Sequence, residues 1–207
     1  MELAETKLAT LFYHEMLWLS HSIVRKCEEI FSKASVPEQG YMIQVDPEVH
    51  SKIASVLSDA ANIKKLIQTQ GVKLKGENAV RFKLRKDRAR ELAQALAPLE
   101  LTEIFNHKVR NTLEHFDEYL DEANYDLSRK PDLGTMAAYN MVISHWEVTE
   151  PRIYPIRLYV SSERKFYNMK WAVDIGLIHK EANQIIDELN KIPDFNNLEP
   201  GGLMIRV

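Results

Sequence analysis

The 207-residue chain has a single cysteine, Cys27, so no disulfide can form within it. A lone thiol fits a reducing compartment. No apolar run approaches the roughly 20 residues that cross a bilayer. The opening residues, Met1-Glu2-Leu3-Ala4-Glu5, lack the basic and then apolar profile of a secretion signal. These absences lead to an expectation of a cytoplasmic protein without a membrane partner. Charge of one sign is also missing. The formal net charge is −3, so any hold on nucleic acid must come from a local patch. There is no Gly-rich phosphate loop, dinucleotide fingerprint, Cys-x-x-Cys pair or Gly-x-Ser-x-Gly elbow. No cofactor or metal is expected.

What is present reads as one folded domain over residues 1–207. Hydrophobic residues make up 45% and charged residues 28%, a balance that argues against disorder. The length suits one sizeable core. Over about 3–33, Leu8, Phe12, Leu19, Ile23, Cys27 and Ile30 recur at helical spacing. Residues 34–46, with Pro37 and Gly40, read as a loop. Asp46-Pro47 then opens a second helix as N-cap and first helical position, carrying Val49, Ile53, Val56, Leu57, Ala60, Ile63 and Ile67 toward Gly71. A third helix is expected over about 78–97, with Val80, Leu84, Leu92, Ala93 and Leu96 inward. A fourth spans about 100–129, where Phe105, Val109, Thr112, Phe116, Leu120, Ala123 and Leu127 form one stripe before Pro131 and Gly134.

The pattern changes over 136–173, where β-branched and aromatic residues alternate with polar ones. Thr149-Glu150-Pro151 and Ser161-Ser162-Glu163 supply turns, which predicts a three-stranded antiparallel meander. A last helix over 175–191 carries Ile178, Ala182, Ile185, Ile186 and Leu189, and 193–207 is a loop-like tail. So small a sheet needs helices to cover its apolar face. The expected fold is mainly α: a four-helix bundle over 1–130, with the antiparallel meander and C-terminal helix packed on it.

The fourth helix carries the chemistry. Arg110, Asn111 and His115 lie within six residues. A guanidinium can hold a phosphate and its developing charge by paired hydrogen bonds. An imidazole can move a proton to or from a ribose hydroxyl. Asn111, one turn before His115, can orient the ring or touch phosphate. Arg110 and His115 are about 140° apart around a helix, so they do not converge from one chain. A two-fold copy would bring one chain's arginine toward the other's histidine. The plain alternative is that Arg110 pairs with Glu114 or Asp117, and His115 is a satisfied interface residue.

The run Val109-Arg110-Asn111-Thr112-Leu113-Glu114-His115-Phe116-Asp117-Glu118-Tyr119-Leu120 resembles the signature helix of the HEPN superfamily, helical bundles marked by Arg, a polar residue and a His a few positions on. The resemblance implies a HEPN-like bundle and a homodimer with a cleft at its axis. It also implies metal-independent RNA cleavage of a toxin or defence type, with an antitoxin-like protein as partner. Arg110, Asn111 and His115 would then be the catalytic set. Glu114, Asp117, Glu118, Asp121 and Glu122 surround that motif with negative charge, which favours the other branch: a non-catalytic interaction or nucleotide-binding module.

The one strongly basic stretch, Lys73 to Arg90, includes Arg81, Lys83, Arg85, Lys86 and Arg88, all candidates for phosphate contacts. A solvated helix face is its ordinary alternative. His107, three residues before Arg110, can line the same cleft, with a solvent-exposed role as its more ordinary reading. His14 and His21 are spaced for partial burial and not for metal. Cys27 falls in an apolar stripe and reads as core. Trp146, Tyr154, Tyr159 and Trp171 would give the meander a binding surface.

Overall fold

The computed structural model describes residues 5–129, 136–149, 153–195 and 201–205. Helix α1 (Leu11–Lys33) buries Met16, Leu19, Ile23, Cys27 and Ile30 along one stripe. It begins eight residues later than expected, after turns, and Leu8 stays 46% exposed. The segment read as a loop holds a short strand, β1 (Ile43–Gln44). Asp46 caps α2 (Pro47–Ile67) as expected, its side chain accepting from Glu48 N at 2.9 Å. Asn78 likewise caps α3 (Ala79–Ala95), accepting from Arg81 N at 2.9 Å. Helix α3 buries little beyond Asp87, Ala89 and Leu92, and Val80, expected inward, is 50% exposed.

The continuous helix expected over 100–129 is two helices, α4 (Lys108–Glu114) and α5 (Phe116–Ser128), broken at His115 (φ −113°, ψ 46°). Two causes are visible. The buried Thr112 hydroxyl donates to Val109 O at 2.6 Å, a local bond that competes with the helical ladder and bends helices. Restarting at Phe116 also sets Asp117 and Glu118 in the first turn of α5, where carboxylates are favourable. Part of the acidity around the motif therefore serves a helix start. Pro131 and Gly134 lie outside the described residues, as do Glu150, Pro151 and Arg152.

The sheet is larger than the expected meander and not wholly antiparallel. It is completed by β2 (Ala137–Ile143), β3 (Tyr154–Val160), β4 (Lys165–Asn168) and β5 (Trp171–Asp174), in the order β1-β2-β3-β4-β5. Strands β3, β4 and β5 form the antiparallel meander, whereas β2 and β3 are parallel. On the face away from the helices, Trp146, Val148 and Ile153 cover Ala138, Ile143, Leu158 and Val160. Ala138 and Ile143 share that face although five residues apart, and so do Ile153 and Leu158. Strict alternation would put such pairs on opposite faces. Each strand flips at a left-handed residue, Asn140 (φ 52°) in β2 and Arg157 (φ 56°) in β3.

The opposite face, with Val142, Tyr159, Phe166 and Val173, joins one large core with α1, α2 and α6 (Ile175–Leu189). Helix α1 packs against both α2 and α6. The C-terminal helix, expected as an addition to the bundle, is thus central to the core, while α5 buries only Ala123. Each of the fully buried Leu and Ile side chains contributes about 1.5–3 kcal/mol by leaving water, so this core holds the fold together. Cys27 sits in it, its thiol pushed up to about 12 by burial. The fold is mainly helical with a mixed sheet packed on one side.

Candidate functional site

Three ties position α4. Glu181 of α6, 1% exposed, turns its carboxylate onto the backbone before α4. One oxygen accepts from Thr102 N at 2.7 Å, the Thr102 hydroxyl at 3.0 Å and Glu103 N at 3.0 Å, and the other from Ile104 N at 2.8 Å. Lys64 of α2 donates to Phe105 O at 2.9 Å. From the sheet, the fully buried Asn168 donates to the Thr112 hydroxyl at 2.8 Å and accepts from Arg157 N at 3.1 Å, spending both ends of its amide. Buried polar groups are costly unless paired. Here the pairing fixes the motif helix to α2, α6 and β4 at once.

Between the end of α2 and the start of α4 lies a groove of about 400 Å³. Leu57, Ala61 and Ile104 contribute apolar surface, and Gln68, Thr69, Gln70, Asn106 and Asn111 supply amides and a hydroxyl. Its ionisable lining residues are Lys64, Lys65, His107 and Arg110, and no carboxylate is among the described residues that line it. The Lys64 ammonium also donates to His107 Nδ1 at 3.2 Å, so that nitrogen is the acceptor and the ring proton lies on Nε2. Lys65 reaches the Asn62 amide oxygen at 3.4 Å. Among the described residues, Arg110 is the one of these four with an anionic partner, Glu114, one turn along the helix. Helical pairs of this kind are worth about 0.3–0.5 kcal/mol. An oxyanion held by the guanidinium fork outcompetes such a pair. The groove size is that of a small-molecule site.

Arg110, Asn111 and His107 thus come together, joined by Lys64 and Lys65. His115 does not join them. Its side chain is 57% exposed at the helix break, its Nδ1 is 3.3 Å from the Glu118 carboxylate, and it does not line the groove. The arginine–Glu114 pairing is the one the spacing offered as the plain alternative.

The basic stretch is largely spent inside the chain. Arg85 holds the Glu77 carboxylate by two bonds, of 2.9 and 2.8 Å, and also donates to the Thr69 hydroxyl, Gln70 O and Val72 O. It staples the α2–α3 loop, and its hydrogen bonds pull the Glu77 carboxyl down to about 2. Arg88 donates to Lys65 O at 3.1 Å and lies over Phe12, its pKa lowered by burial. Lys83 pairs with Asp87 at 3.0 Å, and Lys86 sits over the Phe82 ring. The Arg81 side chain is exposed.

Sequence reasoning missed Lys64, Lys65, Glu181 and Asn168. The two lysines lie on the polar side of an ordinary amphipathic helix, and only tertiary packing turns them toward Arg110. Glu181 carries a faint signal: it is an acid adjoining Ala182 within the apolar pattern of α6. Tyr159 is 1% exposed, so it cannot be part of a binding surface. His14 packs on Phe195, and the half-buried His21 has its imidazole pKa lowered by burial.

Comparison with protein-family models, with curated proteins and with solved structures returned no match. Fold and site together define a mainly helical protein with a mixed sheet on one side and a cationic groove between α2 and α4.

Proposed function

We propose that this is a HEPN-like module that binds a phosphorylated ligand, a nucleotide or the backbone of RNA, in the α2–α4 groove. Arg110 takes the phosphate oxygens by exchanging Glu114 for them. Lys64 and Lys65 add charge, and Asn111 and His107 complete the polar rim. The observation that carries this reading is a groove lined by two lysines, an arginine and a histidine with no carboxylate among its described lining residues.

A second reading, a metal-independent endoribonuclease of a toxin or defence type, is favoured by the placement of His115. It is exposed and five residues from Arg110, yet outside the groove. In a two-fold pair, His115 of one chain would supply the proton transfer at the other chain's Arg110.

One experiment tests both. Labelled single-stranded RNA is incubated with the protein in EDTA, and binding and strand length are read together for wild type, Arg110→Ala and His115→Ala. The module reading expects binding by wild type and His115→Ala, weakened by about tenfold or more in Arg110→Ala, with RNA intact throughout. The nuclease reading expects shortened RNA with wild type only. Sedimentation places that activity in a dimer or removes the two-chain version. If RNA neither binds nor shortens, and AMP does not bind either, both readings fall.

A further inference from the structure

The level at which β2 and β3 flip holds an arrangement that the Arg110 groove does not use. The register pairs Tyr139 with Ile156 and Met141 with Leu158, so Asn140 stands beside Arg157. Both are left-handed. Asparagine tolerates that conformation, while arginine adopts it at a cost in backbone energy. The strained residue is gripped from both sides, its N–H donating to Asn168 Oδ1 at 3.1 Å and its carbonyl accepting from His50 Nε2 at 2.8 Å.

The side chain so placed packs against Phe116 of α5. The guanidinium carbon is 4.0 Å from the centroid of the Phe116 ring, beside His115. Its Nε is buried without an acceptor, and no carboxylate among the described residues pairs with it. On α5, Glu118 lies 3.3 Å from His115 Nδ1 and Glu122 2.7 Å from the Lys170 ammonium. Asn140 Oδ1 is also buried without a donor. A strand bend needs only a residue that accepts positive φ, and glycine or asparagine would supply it without strain. A positive φ at an arginine whose guanidinium has no carboxylate partner among the described residues is strain that a bound anion would offset.

We propose that Arg157 binds a phosphate oxyanion. The outer N–H groups of its fork reach two oxygens of one phosphate. The Phe116 ring holds the guanidinium plane ready, which lowers the ordering cost of binding. This site is separate from the Arg110 groove and does not rest on the reading given to that groove.

The test follows the side-chain Nε–H resonance of Arg157 by NMR during titration, first with inorganic pyrophosphate and then with oligouridine RNA. Wild type and Arg110→Ala are followed by that signal, and Arg157→Lys and Arg157→Asn, which lack it, by the backbone amide resonances of His115 and Phe116. The expected result is a saturable shift of the Arg157 signal that persists in Arg110→Ala. Affinity at this site falls about tenfold or more in Arg157→Lys, which keeps the charge but loses the fork. Arg157→Asn loses binding while melting at or above the wild-type temperature, since asparagine relieves the strain. A shift with both ligands identifies phosphate itself as the group bound, and a shift with RNA alone identifies a nucleic-acid backbone. An unmoved Arg157 signal with both ligands overturns the proposal. So does equal affinity in Arg157→Asn, or loss of the shift in Arg110→Ala.

Discussion

The basic stretch of α3 and the groove beside α4 contrast in how they use positive charge. The first is the richest in cations along the sequence, yet Arg85, Arg88 and Lys83 are bonded to the chain's own carboxylates and carbonyls. The second draws two lysines from α2, a histidine and an arginine from around α4, and among the described residues only Arg110 of these meets a carboxylate. A count of charges locates the first region, while four ionisable side chains converging on one groove, with no carboxylate among its described lining residues, locate the second. A cation such as Arg85 must break its own bonds before it can hold a ligand.

The contrast can be broken at several points. The largest effect is expected at Glu181, whose carboxylate satisfies four donors ahead of α4. Glu181→Ala should cost on the order of 3 kcal/mol in urea unfolding and weaken ligand binding with it. A loss under about 1 kcal/mol would mean that the groove wall stands without that carboxylate. Next, Arg85→Ala should lower the urea midpoint through its lost loop bonds, with RNA binding unchanged. If binding fell and stability did not, the two regions would have to exchange roles. Thr112→Val keeps the shape but removes the hydroxyl between Asn168 and Val109 O. It should cost about 1 kcal/mol and speed amide exchange in α4 more than in α1.

The smallest effect is a pH response. The Glu77 carboxyl lies at about 2, below its ordinary value of 4.5, because Arg85 donates to it. A depressed folded pKa gives stability that is fully present above the ordinary value and lost as pH falls toward 2. The α2–α3 loop should therefore loosen as pH is lowered from 4.5 toward 2, seen as rising amide exchange around residues 69–77. Glu77→Gln should flatten that response, and an unchanged profile would contradict the staple.

Helices α2 and α6 were legible because each carries a long apolar stripe, to which Asp46-Pro47 adds a local start signal in α2. The break at His115 was not, since the stripe from Phe105 to Leu127 fits one straight helix. The break depends on a hydroxyl bridged from β4, a contact made 56 residues away in sequence. Parallel pairing of β2 with β3 was hidden for a different reason. Alternation is the same in parallel and antiparallel strands, and a connection of residues 144–153 is shorter than a usual crossover. Of the groove's lining, Arg110 and Asn111 were singled out from spacing on one segment, while His107 had solvent exposure as its more ordinary reading. Lys64 and Lys65 were not, because their direction is set by how α2 meets α4.

The most direct test is equilibrium binding of AMP to wild type, Arg110→Ala and Arg81→Ala at one fixed salt concentration. The account predicts that Arg110→Ala weakens binding by about tenfold or more, close to 1.4 kcal/mol, while Arg81→Ala stays within about twofold. Equal affinities for wild type and Arg110→Ala, with the loss in Arg81→Ala instead, would contradict it.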